Sequence, residues 1–229
     1  MTKKILLFDI DGTLLLTGGV GIVAFEKAFH DLFGTRNAWG DMVPDGKTDP
    51  FIIEEISQKI LNRSLDKTEH IKLSEKYLFY FRDEIKRASH FRLMPGVLPL
   101  LQILSKKEDI LLGIATGNLE EAGWLKLERG GIRSFFSFGG FGSDSMERSE
   151  ILKIAIKRGE KVLGKAATRE KIYVIGDTHY DVQAGKKLGL KTIGVATGSL
   201  KEKYFLGEHA PDYLLQDLSD TQSFLKLIY

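Results

Sequence analysis

The sequence has no cysteine, which excludes disulfides, thiolate metal ligands and thiol nucleophiles and fits a reducing compartment. It has no excess of one charge sign: 33 basic against 31 acidic residues leave a net charge of +2. Without a basic stripe there is no electrostatic footprint for nucleic acid or a membrane surface. It has no apolar run long enough to span a bilayer. Lys3-Lys4 is followed by only a few apolar residues before Asp9, too few for a signal peptide, so a cytoplasmic location is expected. Internal repeats, low-complexity tracts and heptad runs are absent too. Gly139-Gly140-Phe141-Gly142 matches neither a dinucleotide fingerprint nor a P-loop. His30, His70, His90 and His209 lack ligand spacing, and Trp39 and Trp124 read as packing residues. What remains, 43% hydrophobic and 28% charged over 229 residues, is ordinary for a soluble globular chain with a full core.

The most informative stretch is Phe8-Asp9-Ile10-Asp11-Gly12-Thr13. Ile5 to Phe8 is an apolar run of buried-strand length, and Asp-Gly breaks it. Two carboxylates are thus expected where a central strand runs out, a common place for ligands in open α/β sheets. Strand alternation puts Asp9 and Asp11 on one side. Like charges that close are costly unless a cation or a shared proton offsets them, and a hard divalent metal is the simplest compensation. A solvated Asp-Gly turn is the bland alternative.

After Thr17-Gly18-Gly19 the pattern changes. Apolar stripes starting at Val20, Phe51 and Ile71 predict helices up to Ala88, with no convincing strand among them. Met94-Pro95-Gly96 marks the return, and Val97 to Lys107 reads as a helix. Strand-like runs at 110–115, 135–139, 172–175, 192–195 and 212–215 then alternate with helices at 119–129, 147–163, after 176, and from Ser219. Such alternation predicts an α/β fold: a Rossmann-like parallel sheet with helices on both faces. The expected organisation is a core of residues 1–16 and 93–229, interrupted by an all-helical insertion at 17–92 large enough to be a subdomain.

Three later segments bear comparison with Asp9 and Asp11. Thr116-Gly117-Asn118 precedes a helix, so it can face an anion or simply cap the helix. Gly176-Asp177-Thr178-His179-Tyr180-Asp181 follows the strongest strand, with Asp181 a helical turn beyond Asp177. Acids ending separate strands at one sheet edge need a partner, and a metal fits. Arg148, at the start of a helix, is a candidate cation for a phosphate or for Asp9, and Lys153 is its rival.

In that order and spacing the Asp9 to Thr13, Thr116 to Asn118 and Gly176 to Asp181 segments resemble the haloacid dehalogenase superfamily. More narrowly they are similar to its phosphoglycolate phosphatase-like branch, which carries a helical cap. The likeness covers essentially the whole chain. It departs at the lysine the family places before its last motif; Arg148 stands about there. The resemblance implies Mg²⁺-dependent hydrolysis of a small phosphorylated metabolite through an aspartyl phosphate. Asp9 would be the nucleophile. Asp11 would be the acid and then the base, with its backbone carbonyl on the metal. Asp177 and Asp181 would hold the ion or its waters. Thr116, nearby amides and Arg148 would bind the phosphoryl oxygens. The acid at Asp11 disfavours dehalogenation.

In the insertion, Pro44 to Pro50 is a polar loop. By resemblance Lys47 or Thr48 would read the non-phosphate end of the substrate; equally, Thr48 or Asp49 would cap the helix beginning near Pro50. Ala196-Thr197-Gly198-Ser199 echoes the Thr116 segment and reads as rim. The alternatives are a sugar phosphomutase, a phosphonate hydrolase using Lys47, and a non-catalytic phosphate binder.

Overall fold

The computed structural model describes residues 3–198 and 210–229; Ser199 and His209 lie outside them. The fold is built outward from β1 (Lys4–Phe8), buried along its whole length. Leu6 and Phe8 enter one apolar cluster, Ile5 and Leu7 another, as strand alternation requires. Parallel β4 (Ile110–Ala115) and β6 (Ile172–Gly176) flank it, with Phe8 opposite Ile114 and Ile175. With β5 (Phe138–Gly140), β7 (Lys191–Val195) and β8 (Tyr213–Leu215) they form a parallel sheet in the order β5-β4-β1-β6-β7-β8.

Helices cover both faces. α4 (Val97–Leu104), α5 (Glu120–Arg129) and α8 (Thr221–Ile228) bring Leu101, Leu127 and Phe224 to the Phe8 side. α6 (Arg148–Leu163) and α7 (His179–Lys187) bring Leu152 and Ala184 to the Leu7 side. Each such leucine or phenylalanine, fully buried, contributes about 1.5–3 kcal/mol. The expected α/β sheet with two helical layers is the fold observed. No helix among the described residues is long and apolar enough to cross a membrane.

Between β1 and α4 lie α1 (Val20–Phe33), α2 (Asp49–Leu61) and α3 (Lys67–Glu84). They share an apolar cluster of their own, in which Phe25 and Tyr77 stack with centroids 4.0 Å apart. Leu119 and Ala122 of the sheet-bearing part join that cluster. A reciprocal capping box of Asp66 and Glu69 starts α3.

Three details differ from the sequence expectation. β2 (Leu15–Leu16) and β3 (Arg92–Leu93) pair antiparallel where the chain leaves and re-enters the sheet-bearing part. Two residues per strand carry no readable periodicity, so nothing in the sequence pattern marks this ribbon. The strand expected from Phe135 begins at Phe138, because residues 133–135 close a 3-10 turn. The last helix starts at Thr221, where Asp220 accepts the Ser223 N–H at 3.0 Å.

Candidate active site

The strand order reverses at β1, and the carboxyl ends of β1, β4 and β6 open into one cavity. Asp9 directly follows β1, and its N–H still donates to the Ile175 carbonyl at 2.9 Å. Gly12, at φ 80°, turns the chain beside Asp177, and a Cβ there would overlap that carboxylate. Thr13 Oγ1 donates to Asp177 Oδ1 at 3.0 Å. Asp181 sits in the first turn of α7, where its Oδ2 accepts from the Thr178 hydroxyl at 2.7 Å. Asp9, Asp177 and Asp181 are all buried, and each offers an oxygen within 4.8 Å of the others.

Burial pushes Asp9 up to about 6, with Asp181 and Asp11 repelling it and Arg148 opposing the rise. Burial also raises Asp177 well above the carboxylate range, aided by Asp9 and Asp181. Arg148 Nη1 lies 3.3 Å from Asp9 Oδ1 and 3.2 Å from Asp181 Oδ1. Burial works against its charge, but these acids outweigh it and hold the guanidinium above its ordinary value. One guanidinium against three buried acids leaves uncompensated charge. A hard divalent ion with oxygen ligands fits that donor set. Arg148 Nε is buried with no hydrogen-bond partner among the described residues, which suits an incoming phosphoryl oxygen. Lys153, the rival cation, pairs with Glu150 at 2.6 Å and is half exposed.

At the end of β4, Thr116 Oγ1 accepts from Asn118 Nδ2 at 2.7 Å, which leaves the hydroxyl hydrogen free to donate. Asn118 lines the same cavity. Its amide is taken up inside the protein, donating to Asp11 Oδ2 at 2.7 Å as well and accepting from Lys126 on Oδ1. The reason is Lys126, whose ammonium lies 2.6 and 2.8 Å from the two Asp11 oxygens. Lys126 is absent from the sequence expectations. The available signal was a lysine among Ala122, Gly123 and Leu127 on the buried face of α5.

The loop before α2 closes over Gly117. Asp49 N–H donates to the Gly117 carbonyl at 2.8 Å, and Asp49 Oδ2 accepts the Leu119 N–H at 2.8 Å. A Cβ on Gly117 would lie 2.5 Å from the Lys47 carbonyl oxygen, so this approach requires glycine. Thr48 is the N-cap of α2, accepting from Phe51 N–H at 3.4 Å. Lys47 lines the cavity but pairs with Glu55 at 2.6 Å. The cavity measures about 510 Å³. Asp9, Asp11, Thr116, Arg148 and Asp177 form its floor, and Phe25, Trp39, Ile52 and Tyr77 face them from the helical unit. Trp39 packs on Phe25 as expected and also lines the cavity, whereas Trp124 packs on Phe141.

Residues 6–195 match the model of the family described as haloacid dehalogenase-like hydrolase. Pyrophosphatase PpaX of Listeria monocytogenes serotype 4b is 28% identical over 223 residues, covering 96% of each chain. A predicted phosphatase from Clostridium acetobutylicum superposes with a TM-score of 0.72 at 18% identity, covering 99% of this chain and 100% of that one. A predicted phosphoglycolate phosphatase from Haemophilus somnus 129pt gives 0.70 at 18% identity, covering 98% and 99%. The family match takes in the strand ends that carry Asp9, Thr116 and Asp177, and the chain belongs to the haloacid dehalogenase-like hydrolases.

Proposed function

We propose that the protein is an Mg²⁺-dependent phosphatase that hydrolyses a small-molecule phosphate monoester through a phosphorylated Asp9. The observation that carries the reading is the convergence of Asp9, Asp177 and Asp181, each with an oxygen within 4.8 Å of the others, beside Arg148 and at the floor of a cavity. An Asp9 oxygen attacks phosphorus, and the bond to the leaving oxygen breaks with its electron pair. Asp11 gives that oxygen its proton, releasing the alcohol. The Asp11 carboxylate then takes a proton from water as the water oxygen attacks the aspartyl phosphate. The Asp9–phosphorus bond breaks, releasing phosphate and restoring both acids. Thr116 and Arg148 hold the non-bridging oxygens. Asp9, Asp177, Asp181 and the Asp11 carbonyl would hold Mg²⁺, which supplies charge neutralisation when bound.

In this reading the helical unit of residues 17–92 is a cap that excludes water from the cavity, and residues 1–16 and 93–229 are the catalytic core. The cap-side wall of Phe25, Trp39, Ile52 and Tyr77 suits a leaving group with carbon atoms. Nearby ammonium groups are already paired, Lys47 with Glu55 and Lys126 with Asp11. This favours a monoester over the pyrophosphate named for the Listeria relative.

The test is phosphate release from a panel of metabolite monoesters and inorganic pyrophosphate, with and without Mg²⁺. Turnover is expected for monoesters, and Asp9→Asn abolishes it. Equal rates in the two proteins would reject Asp9 as nucleophile. Isomerised product in place of free phosphate would point to a mutase, and pyrophosphate as the fastest substrate would overturn the monoester assignment.

A further inference from the structure

Lys126 occupies a place where a helix normally puts an apolar side chain. Ala122, Gly123 and Leu127 share the buried face of α5 with it, and its side chain is only 7% exposed. An ammonium buried in this way is costly unless every donor is matched. It has three N–H groups, and three acceptors surround it: both oxygens of Asp11, at 2.8 and 2.6 Å, and Asn118 Oδ1. The same Asn118 bonds Asp11 and Thr116. Asp11 itself lies past the end of β1 with its side chain 41% exposed. Among the described residues, Asn118 and Lys126 are the side chains that bond its carboxylate.

We infer that Lys126 is a positioning residue for Asp11: it fixes the orientation from which that carboxyl group serves the leaving oxygen. The inference rests on the phosphatase reading for the role of Asp11. An alkoxide leaves poorly and needs the proton as the phosphorus–oxygen bond breaks, whereas a nitrophenolate leaves without one. A lysine that acts through Asp11 therefore matters for the first kind of ester and little for the second. A lysine that only stabilises the core would affect both alike.

The experiment compares kcat/KM for glycerol 3-phosphate and 4-nitrophenyl phosphate, with Mg²⁺ present. That quantity reports the steps through release of the alcohol and is blind to later hydrolysis of the intermediate. Lys126→Met is expected to lower the alkyl-to-aryl ratio on the order of 10²-fold, the size of a general acid–base contribution. Asp11→Asn is expected to lower it similarly, and adding Lys126→Met to Asp11→Asn to change it by less than about twofold, because coupled residues are not additive. An unchanged ratio, or full additivity in the double variant, overturns the inference. Lys126→Arg serves if Lys126→Met does not fold: its displaced donors are expected to lower the ratio in the same direction, and an unchanged ratio counts against the proposal. Wild-type protein that cleaves neither ester rejects the phosphatase reading itself, and this inference with it.

Discussion

Arg148 and Asp9 are 139 residues apart in sequence and meet at 3.3 Å where α6 begins and β1 ends. Both side chains are nearly buried, at 11% and 6% exposure. Their pairing opposes the rise that burial imposes on Asp9.

Replacing Arg148 by Met leaves Asp9 and Asp181 without their cation. Loss of one partner from a buried pair costs about 3–5 kcal/mol. Urea unfolding in EDTA is expected to show a loss of that order, and Mg²⁺ to recover part of it. Phosphate release is expected to fall by at least ~10²-fold, the scale of losing one charge-stabilising donor.

Mg²⁺ is expected to stabilise the folded chain by mass action. At a hundred times its dissociation constant the gain is about 2.7 kcal/mol. Thermal denaturation with and without Mg²⁺ measures it. Asp177→Asn is expected to abolish most of the shift, and an equal shift in that variant would remove Asp177 from the ligand set.

Asp49 provides a pH prediction away from the proposed metal. Burial pushes it up to about 6, against the pull of Lys126 and the Leu119 N–H. The folded chain then binds more protons here than the unfolded one, so this contribution to stability falls as pH rises from about 4 to about 6. Asp49→Asn keeps an acceptor for Leu119 and removes the titration. It is expected to be more stable than wild type at pH 7, by about 3 kcal/mol at most at 1.36 kcal/mol per unit, with the difference vanishing near about pH 4. Denaturant unfolding across that range decides it.

Tyr77 is buried at 1% exposure and lines the cavity from the helical unit. Tyr77→Phe removes a hydroxyl from the cavity wall, so stability should stay within about 1 kcal/mol of wild type. Any loss should appear in KM for the best monoester substrate. A fall in thermal stability instead would mean that the hydroxyl is bonded within the fold.

The sheet was legible because its strands are continuous apolar runs ending in chemistry-bearing residues: Ile5 to Phe8 before Asp9, and Ile172 to Ile175 before Gly176 and Asp177. The helical unit was legible from its stripes only in part: Val20, Phe25, Ala28 and Phe29 face one cluster, whereas Phe51 and Ile71, which open the other two stripes, are exposed. Lys126 was not, because side-chain identity on a helix face does not reveal which loop packs over it. Asp49 read as a helix-capping residue, and its bond to Leu119, seventy residues away, leaves no local pattern. The ribbon of β2 and β3 escaped because its pairing is wholly non-local.

That ribbon has an evolutionary and practical consequence. Leu15 faces Leu93 and Leu16 faces Arg92, so the chain departs and comes home at neighbouring points. The pairing holds the two crossings side by side whatever the length of chain between them needs to be. Under the proposed cap reading, exchanging residues 17–92 at this stem is expected to change substrate selectivity while the acids at the strand ends stay in place.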